Sequence, residues 1–252
     1  MWRVDGRDVE LVLPAECVAW CRAQDYGITV CDDVARVDVD WWNTRLDRHK
    51  IPVRLCGRDA DGAPLDHGIG YLRRADLNTD TLPISGPADL CVLYRAAAWL
   101  CGHRDRAHAR RFPDVRNPPP GDGFDVITAA LDQLRQHGPA GTEFGGRYRP
   151  RSGWPHTPGV GPALLSLYCW AVHDATPVGR PQLLDPHSVA TLVYLGWLVE
   201  DPCVPHFTRA RYERYCALLQ HWAAHAQVPE ELIEMWLSQH WRDRTRSSPL
   251  HC

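Results

Sequence analysis

A mainly α fold is what the sequence predicts, and three observations predict it. From residue 87 onward, apolar residues recur at helical spacing in successive runs, each bounded by proline, glycine or a capping side chain. Only residues 51–72 read as a β-hairpin. Of the 252 residues, 44% are apolar, which suffices for a sizeable core. The clearer helical pattern begins near residue 86. Two parts are therefore expected: an N-terminal portion, residues 1–85, with helices and that hairpin, and a helical domain, residues 86–252.

Residues 14–24 read as a helix opening on Pro14, with Cys17, Val18 and Cys21 on one face. Residues 34–46 are mixed, with a short helix around Trp41 and Trp42. Residues 51–56 and 68–72 flank the turn-rich stretch 58–64, which contains Asp61-Gly62, and are expected to pair. Residues 89–102 form a helix with Leu90, Leu93, Ala97 and Leu100 facing inward and Gly102 as a stop. Four prolines and two glycines make residues 112–123 a loop. Residues 125–137 are helical and end at Gly138-Pro139, and residues 139–148 form a further short helix. Residues 208–226 carry Tyr212, Tyr215, Cys216, Leu219 and Trp222 on one stripe. Residues 229–240 form a last helix, and the tail from residue 242 is expected to fray.

The formal net charge of −3 counts against a generally basic nucleic-acid binder, so positive charge has to be clustered if DNA is the partner. Six arginines lie between residues 95 and 116, and Arg147, Arg149 and Arg151 form a second group. The run 104–111 reads equally as a solvated face or as a phosphate track. Lys50 is the only lysine. The ten cysteines contain no Cys-x-x-Cys pair and several fall in apolar helical runs, which favours reduced thiols and a cytoplasmic location. No secretory signal and no apolar span near twenty residues is present, so no membrane association is expected. Cys17 with Cys21, or His103 with His108, would be the start of a zinc site, but no ligand set has finger-like spacing; no metal and no cofactor are expected.

The stretch from Trp154 to Trp197 carries the chemistry. Pro158-Gly159-Val160-Gly161 cannot lie inside a helix, whereas the apolar run from Pro162 to Val172 can. A glycine turn thus feeds a helix N-terminus, where unpaired N–H groups and the positive end of the helix dipole suit a phosphate. Farther on, Asp185-Pro186 is an N-cap followed by proline at the first helical position. Asp185 is complete as a cap; it also suits a carboxylate aimed at a reaction centre.

Together these two features resemble the helix-hairpin-helix DNA glycosylase superfamily, and most closely the bacterial group with an 8-oxoguanine DNA glycosylase fold. Residues 89–102 and 130–139 and the pattern Tyr212-x-x-Tyr215-x-x-x-Leu219-x-x-Trp222-Ala223 extend the resemblance. It implies a mainly α helix-hairpin-helix glycosylase fold with a less regular N-terminal portion. It also implies that Pro158, Gly159, Val160 and Gly161 grip the DNA backbone and that Asp185 is the essential carboxylate. Gly161 and Asp185 stand 24 positions apart, slightly more than the family's spacing of some twenty.

Bifunctional members carry a Schiff-base lysine in the second hairpin helix. Here residues 162–167 are Pro, Ala, Leu, Leu, Ser and Leu, and none is an amine. The four-cysteine iron–sulfur motif of the endonuclease III type is also missing. The expectation is a monofunctional DNA glycosylase, a monomer, which flips a damaged or modified base and hydrolyses its glycosidic bond with a carboxylate and water. Arg147, Arg149 and Arg151 would add phosphate contacts. Trp42, Trp99, Trp154 and His187 are the base-pocket candidates. The alternative is a non-catalytic helix-hairpin-helix DNA-binding or scaffold protein in which Asp185 only caps its helix. The catalytic reading expects Asp185 to face an open, aromatic-lined pocket; the scaffold reading expects it buried.

Overall fold

The structure, a computed structural model, describes residues 6–9, 11–78, 80–106, 111–117, 123–137, 152–173 and 180–247. The expected helix at 139–148 and Arg147, Arg149 and Arg151 lie outside the described residues. The described chain is mainly α with one small antiparallel sheet. Its helices are α1 Gly6–Val9, α2 Ala15–Ala23, α3 Val39–Arg48, α4 Ala88–Gly102, α5 Asp125–His137, α6 Pro162–Val172, α7 Pro186–Tyr194, α8 Arg209–Ala226 and α9 Glu230–Ser247, with short tight turns of helix between some of them. The sheet contains β1 Val34–Asp38, β2 Gly57–Arg58, β3 Pro64–Leu65 and β4 Ile69–Arg73, in the order β1-β4-β2-β3. No described helix is long and apolar enough to cross a membrane.

The sheet departs from the expected hairpin. Residues 51–56 form no strand; β4 pairs with β1 on one edge, from Val34 opposite Arg73 to Asp38 opposite Ile69, and on the other with β2, at Arg58 opposite Tyr71. The reason lies in Asn43. Its side chain accepts from the Leu55 N–H at 2.8 Å and donates to the Leu55 carbonyl at 3.1 Å. That residue's backbone groups are thus satisfied by an amide rather than by a neighbouring strand. A two-residue ladder, β2 with β3, closes around residues 59–63. In β1 and β4 alternate residues are buried, so Ala35, Val37, Gly70 and Leu72 face the core. The chain then switches from strand to helix at one residue: Asp38 ends β1 and caps α3 by accepting the Trp41 N–H at 2.9 Å.

Helix α4 is the central element. Leu90 to Leu100 are buried on every side, not only along the stripe that the apolar spacing marks. It stops where the sequence predicts, and for a physical reason. A Cβ on Gly102 would stand 2.2 Å from the Arg36 carbonyl oxygen, so only glycine lets α4 end against β1. The two C-terminal helices clamp the N-terminal segments. Arg214 pairs with Asp8, Trp222 donates its indole N–H to the Leu11 carbonyl at 3.1 Å, and Arg22 reaches the Ala226 carbonyl at 3.1 Å. The predicted stripe of α8 is buried at Tyr212, Tyr215, Cys216, Leu219 and Trp222. Helix α9 runs to Ser247, so its last turns replace the fraying expected from residue 242. Helix α7 is fastened to it by side chains, Ser188 to the Glu234 carbonyl at 3.3 Å and Thr191 to the Leu237 carbonyl at 2.7 Å.

Candidate functional site

Two helix starts define the site. The first is the glycine turn before α6. The Val160 N–H returns to the Thr157 carbonyl at 3.2 Å, and the Thr157 hydroxyl donates to the Val160 carbonyl at 3.1 Å. Gly159 has φ +67°, and a Cβ there would sit 2.5 Å from the Asp114 carbonyl oxygen. Glycine is required at that position by backbone conformation and by close approach together. Asp114 is itself held by Arg116 at 2.6 Å and His49 at 3.0 Å; the Arg116 guanidinium first, then His49, brings its carboxyl down to about 2. Gly161 differs. Its backbone is extended, φ −99° and ψ 173°, and a Cβ would meet nothing within 4 Å. It caps α6 without a side chain, and Pro162 follows at the first helical position. Among the described residues nothing acidic stands in the first turn. The exposed N-terminus therefore presents unpaired N–H groups and a positive dipole end to solvent.

The second start is that of α7. Side chains string out the segment leading to it. Tyr212 donates to the Gln182 carbonyl at 2.9 Å and Tyr215 to the Leu183 carbonyl at 3.0 Å, and the Ser166 hydroxyl on α6 accepts the Leu184 N–H at 2.8 Å. Ser166 thus ties the helix of the glycine turn to the residue before Asp185. Asp185 accepts the His187 N–H at 2.7 Å and caps α7, as its place before Pro186 predicts.

Its carboxylate is 2% exposed and, among the described residues, faces no open, aromatic-lined pocket, so the catalytic reading's expectation is not met and the burial is the one the scaffold reading expects. It faces Arg106, whose Nη1 stands 3.7 Å from Oδ2. Arg106 has closer partners: it forks onto Glu234, and Asp33 Oδ2 lies at 3.3 Å. Arg74 reaches Glu234 at 2.9 Å, and His103 Nε2 meets Asp33 Oδ1 at 2.7 Å. Three buried carboxylates thus share two guanidiniums and a histidine. Burial pushes the Asp33 carboxyl up, but the His103 hydrogen bond and the Arg106 charge outweigh it and hold the group below its ordinary value. Asp185 is left with the weakest compensation. Burial raises its carboxyl, Arg106 offsets part of that, and Glu234 adds to it.

His187 is the outer member of the site. Its side chain is 25% exposed, and Nδ1 lies 3.9 Å from Asp185 Oδ1. That nitrogen is buried and makes no hydrogen bond among the described residues. Burial, against the pull of Asp185, holds the ring below the ordinary histidine value, so it is neutral at pH 7.

The other candidates separate. Trp99 belongs to the cluster: it is fully buried, its indole N–H donates to the Asp33 carbonyl at 2.9 Å, and the Arg106 guanidinium lies over its ring at 5.8 Å. Trp154 is core, donating to the Phe207 carbonyl at 3.0 Å and packed on Tyr212. Trp42 is buried beside Trp41 and Phe112 at the edge of a surface groove. The arginines between 95 and 116 are not one track. Arg95 is buried under the carbonyls of Asn78, Leu82 and Pro83, and Arg106 is inside the cluster, whereas Arg104 projects with its side chain 87% exposed. Asp33, Arg74 and Glu234 escaped the sequence reading. His103 entered it only as a metal candidate, and Arg106 only as part of the run 104–111, read equally as a solvated face or a phosphate track. Cys17 and Cys21 are a buried thiol pair at 4.0 Å. The described group with metal-ligand geometry is Asp201, Cys203 and His206, whose donor atoms lie within 4.8 Å of one another on the surface.

A family model described as "Putative 8-oxoguanine DNA glycosylase OGG-like protein" matches residues 29–238, from just before the sheet through the first half of α9. No curated protein and no solved structure matches the chain.

Proposed function

Because the chain belongs to the OGG-like DNA glycosylase family, we propose that it is a monofunctional DNA glycosylase in which Asp185 and His187 hydrolyse the bond between a flipped, modified base and its deoxyribose. One observation supports this most. A buried, poorly compensated carboxylate stands 3.9 Å from an imidazole nitrogen that has no hydrogen-bond partner among the described residues, at the helix start tied by Ser166 to the glycine turn. The turn at Gly159–Gly161 holds the strand through a phosphate on the α6 N-terminus.

In the reaction, the C1′–N bond breaks and its electron pair leaves with the base, which takes a proton from solvent water as it departs. Positive charge grows on the sugar, and the Asp185 carboxylate, in surroundings of low dielectric, stabilises it. Water bonds through oxygen to C1′ and passes its proton to neutral His187. No amine takes part: residues 162–167 offer none, so the abasic product keeps its strand intact. Substrate entry moves the Arg106 guanidinium away from Asp185, which is its most distant carboxylate partner. The protein is read as acting alone, as a cytoplasmic monomer.

The experiment is a panel of duplexes with damaged or modified bases, analysed with and without alkali. Wild type should release one base class and leave strands that break only after alkali, and borohydride should trap no covalent complex. Asp185→Asn should lose about a hundredfold to a thousandfold in rate. Full activity in Asp185→Asn removes the carboxylate from the mechanism. Duplex binding with no excision of any base leaves the scaffold reading.

A further inference from the structure

The outer face of the sheet carries a second feature. The outward residues of β1 and β4 are Val34, Arg36 and Asp38 against Ile69, Tyr71 and Arg73, with Arg36 directly opposite Tyr71. Beside them, the start of α3 and the end of α4 enclose a groove of about 620 Å³. Trp41 and Tyr71, each 41% exposed, and Arg36 and Arg104 line it. Trp41 also lines an adjoining groove of about 460 Å³, with Arg45 and Arg48. The two grooves therefore run on either side of one indole.

Their chemistry is unlike that of the protein as a whole. The chain carries a net charge of −3, yet the two grooves hold Arg36, Arg45, Arg48 and Arg104 against Asp38 and Asp40. Asp38 is occupied as the cap of α3. Among the described residues Arg36 and Arg48 have no ion-pair partner. The approach of Arg104 to Asp105 is a loose 3.9 Å, and Asp105 has a closer partner in Arg242 at 2.7 Å. The aromatic wall is rigid. Trp41 is buttressed edge-on by Trp42 at 5.2 Å and by Phe112, with Arg45 stacked over its ring at 4.1 Å, and Gly102 locks α4 onto the backbone of Arg36. Exposed aromatic faces that alternate along a track with guanidiniums, of which Arg36 and Arg48 have no ion-pair partner among the described residues, match the repeat of an unpaired nucleic-acid strand, base then phosphate. A protein surface would gain little from such arginines on both sides of one exposed indole.

We propose that this double groove binds a single-stranded DNA segment, one base stacking in the Trp41–Tyr71 groove and its phosphates lying on Arg36 and Arg104 and then on Arg45 and Arg48. The proposal rests on the reading of the protein as a DNA glycosylase only in taking DNA rather than RNA as the strand. The groove adjoins the carboxylate cluster along the chain, since Val34 follows Asp33 and Arg104 follows His103. A strand held there would be an unpaired stretch next to the reacting nucleotide, so the protein would favour substrates that are already partly open.

The test measures anisotropy of labelled DNA with the full chain, comparing a blunt duplex, the same duplex with a thymidine tail, and the tail alone as DNA or RNA. Wild type should bind the tailed duplex about tenfold more tightly than the blunt one. Tyr71→Ala and Arg36→Glu, both at exposed positions, should remove that advantage while blunt-duplex affinity and thermal melting stay as in wild type. Tyr71→Trp should restore stacking. Equal affinity of wild type for tailed and blunt duplexes overturns the proposal, as does an unchanged tail preference in folded Tyr71→Ala and Arg36→Glu, or preference for the RNA tail. Tail binding that is intact in a protein that excises no base would remove the glycosylase reading and leave the groove standing.

Discussion

Helices α6 and α7 begin alike and end up as opposites. Each has proline at its first helical position after a cap in extended conformation, Gly161 at φ −99° and Asp185 at φ −95°. The backbone offers both the same unpaired N–H groups and the same positive dipole end. At α6 the cap has no side chain and stands in solvent; at α7 the chain supplies its own carboxylate and buries it. A helix start is thus a socket for negative charge, and the residue at the cap decides whether the protein or a ligand fills it. The open socket suits a phosphate that arrives and leaves. The filled one keeps a charge where water cannot relax it, which suits a sugar cation that exists only in passing.

Breaking the filled socket should give the largest effects. Arg106→Ala leaves Glu234, Asp33 and Asp185 short of a cation in the interior, and the expected loss is about 3–5 kcal/mol in denaturant unfolding. A loss below about 1 kcal/mol would mean that the cluster is not held by that charge. Asp185→Asn separates function from stability. A carboxyl raised by the fold favours the folded state when protonated, and its contribution is lost as pH rises through its folded value, so at neutral pH the charge is a burden. Asparagine caps about as well as aspartate. The variant should melt at or above the wild-type temperature at pH 7 while its excision rate collapses. Full excision at an unchanged melting temperature would leave Asp185 as a helix cap and nothing more.

The open socket predicts a split between two glycines two positions apart. Gly159→Ala forces a Cβ into the Asp114 backbone at positive φ and should cost about 1–3 kcal/mol of stability. Gly161→Val meets open space, so melting should shift by no more than about 1 kcal/mol, while affinity for duplex DNA falls severalfold. Unchanged affinity in a folded Gly161→Val would take the turn out of the DNA contact. The smallest effect lies away from both sockets. Burial, followed by neighbouring Glu231, raises Glu230 from an ordinary 4.5 to about 7, so the stability it contributes in acid is lost as pH rises through that window. Glu230→Gln should flatten the fall in melting temperature between pH 5 and 8, and an identical slope in the two proteins would contradict the assignment.

Much of the fold was legible because helix signals are local. Pro87 and Gly102 bracket α4, residue 125 opens α5, and Asp185-Pro186 opens α7, each by chemistry within a few residues. The sheet was less so, because the Asn43 amide takes the backbone groups of Leu55 and keeps residues 51–56 out of the sheet, and nothing in the strand pattern points to that side chain. The site divides in the same way. The glycine turn and the Asp185 cap are sequence-local, and both stand where the spacing places them. The carboxylate's surroundings are not, since Asp33, Arg106 and Glu234 come from three segments that only tertiary packing unites. The tryptophans could not be ranked for a related reason. Trp99 and Trp154 both bury the ring and satisfy the indole N–H on a backbone carbonyl, yet one belongs to the cluster and the other to the core.

The contact between Gly159 and Asp114 has a bearing on how this chain can change. A connecting loop such as residues 111–117 is where insertions and deletions are ordinarily absorbed without consequence. Here its backbone is the template against which the glycine turn is moulded, so close that a Cβ on Gly159 would stand 2.5 Å from the Asp114 carbonyl oxygen. One residue added beside Asp114 would shift the mould. Variation in length should therefore be suppressed at Asp114, and a tag or reporter placed there would weaken the DNA contact proposed for the turn without touching either helix.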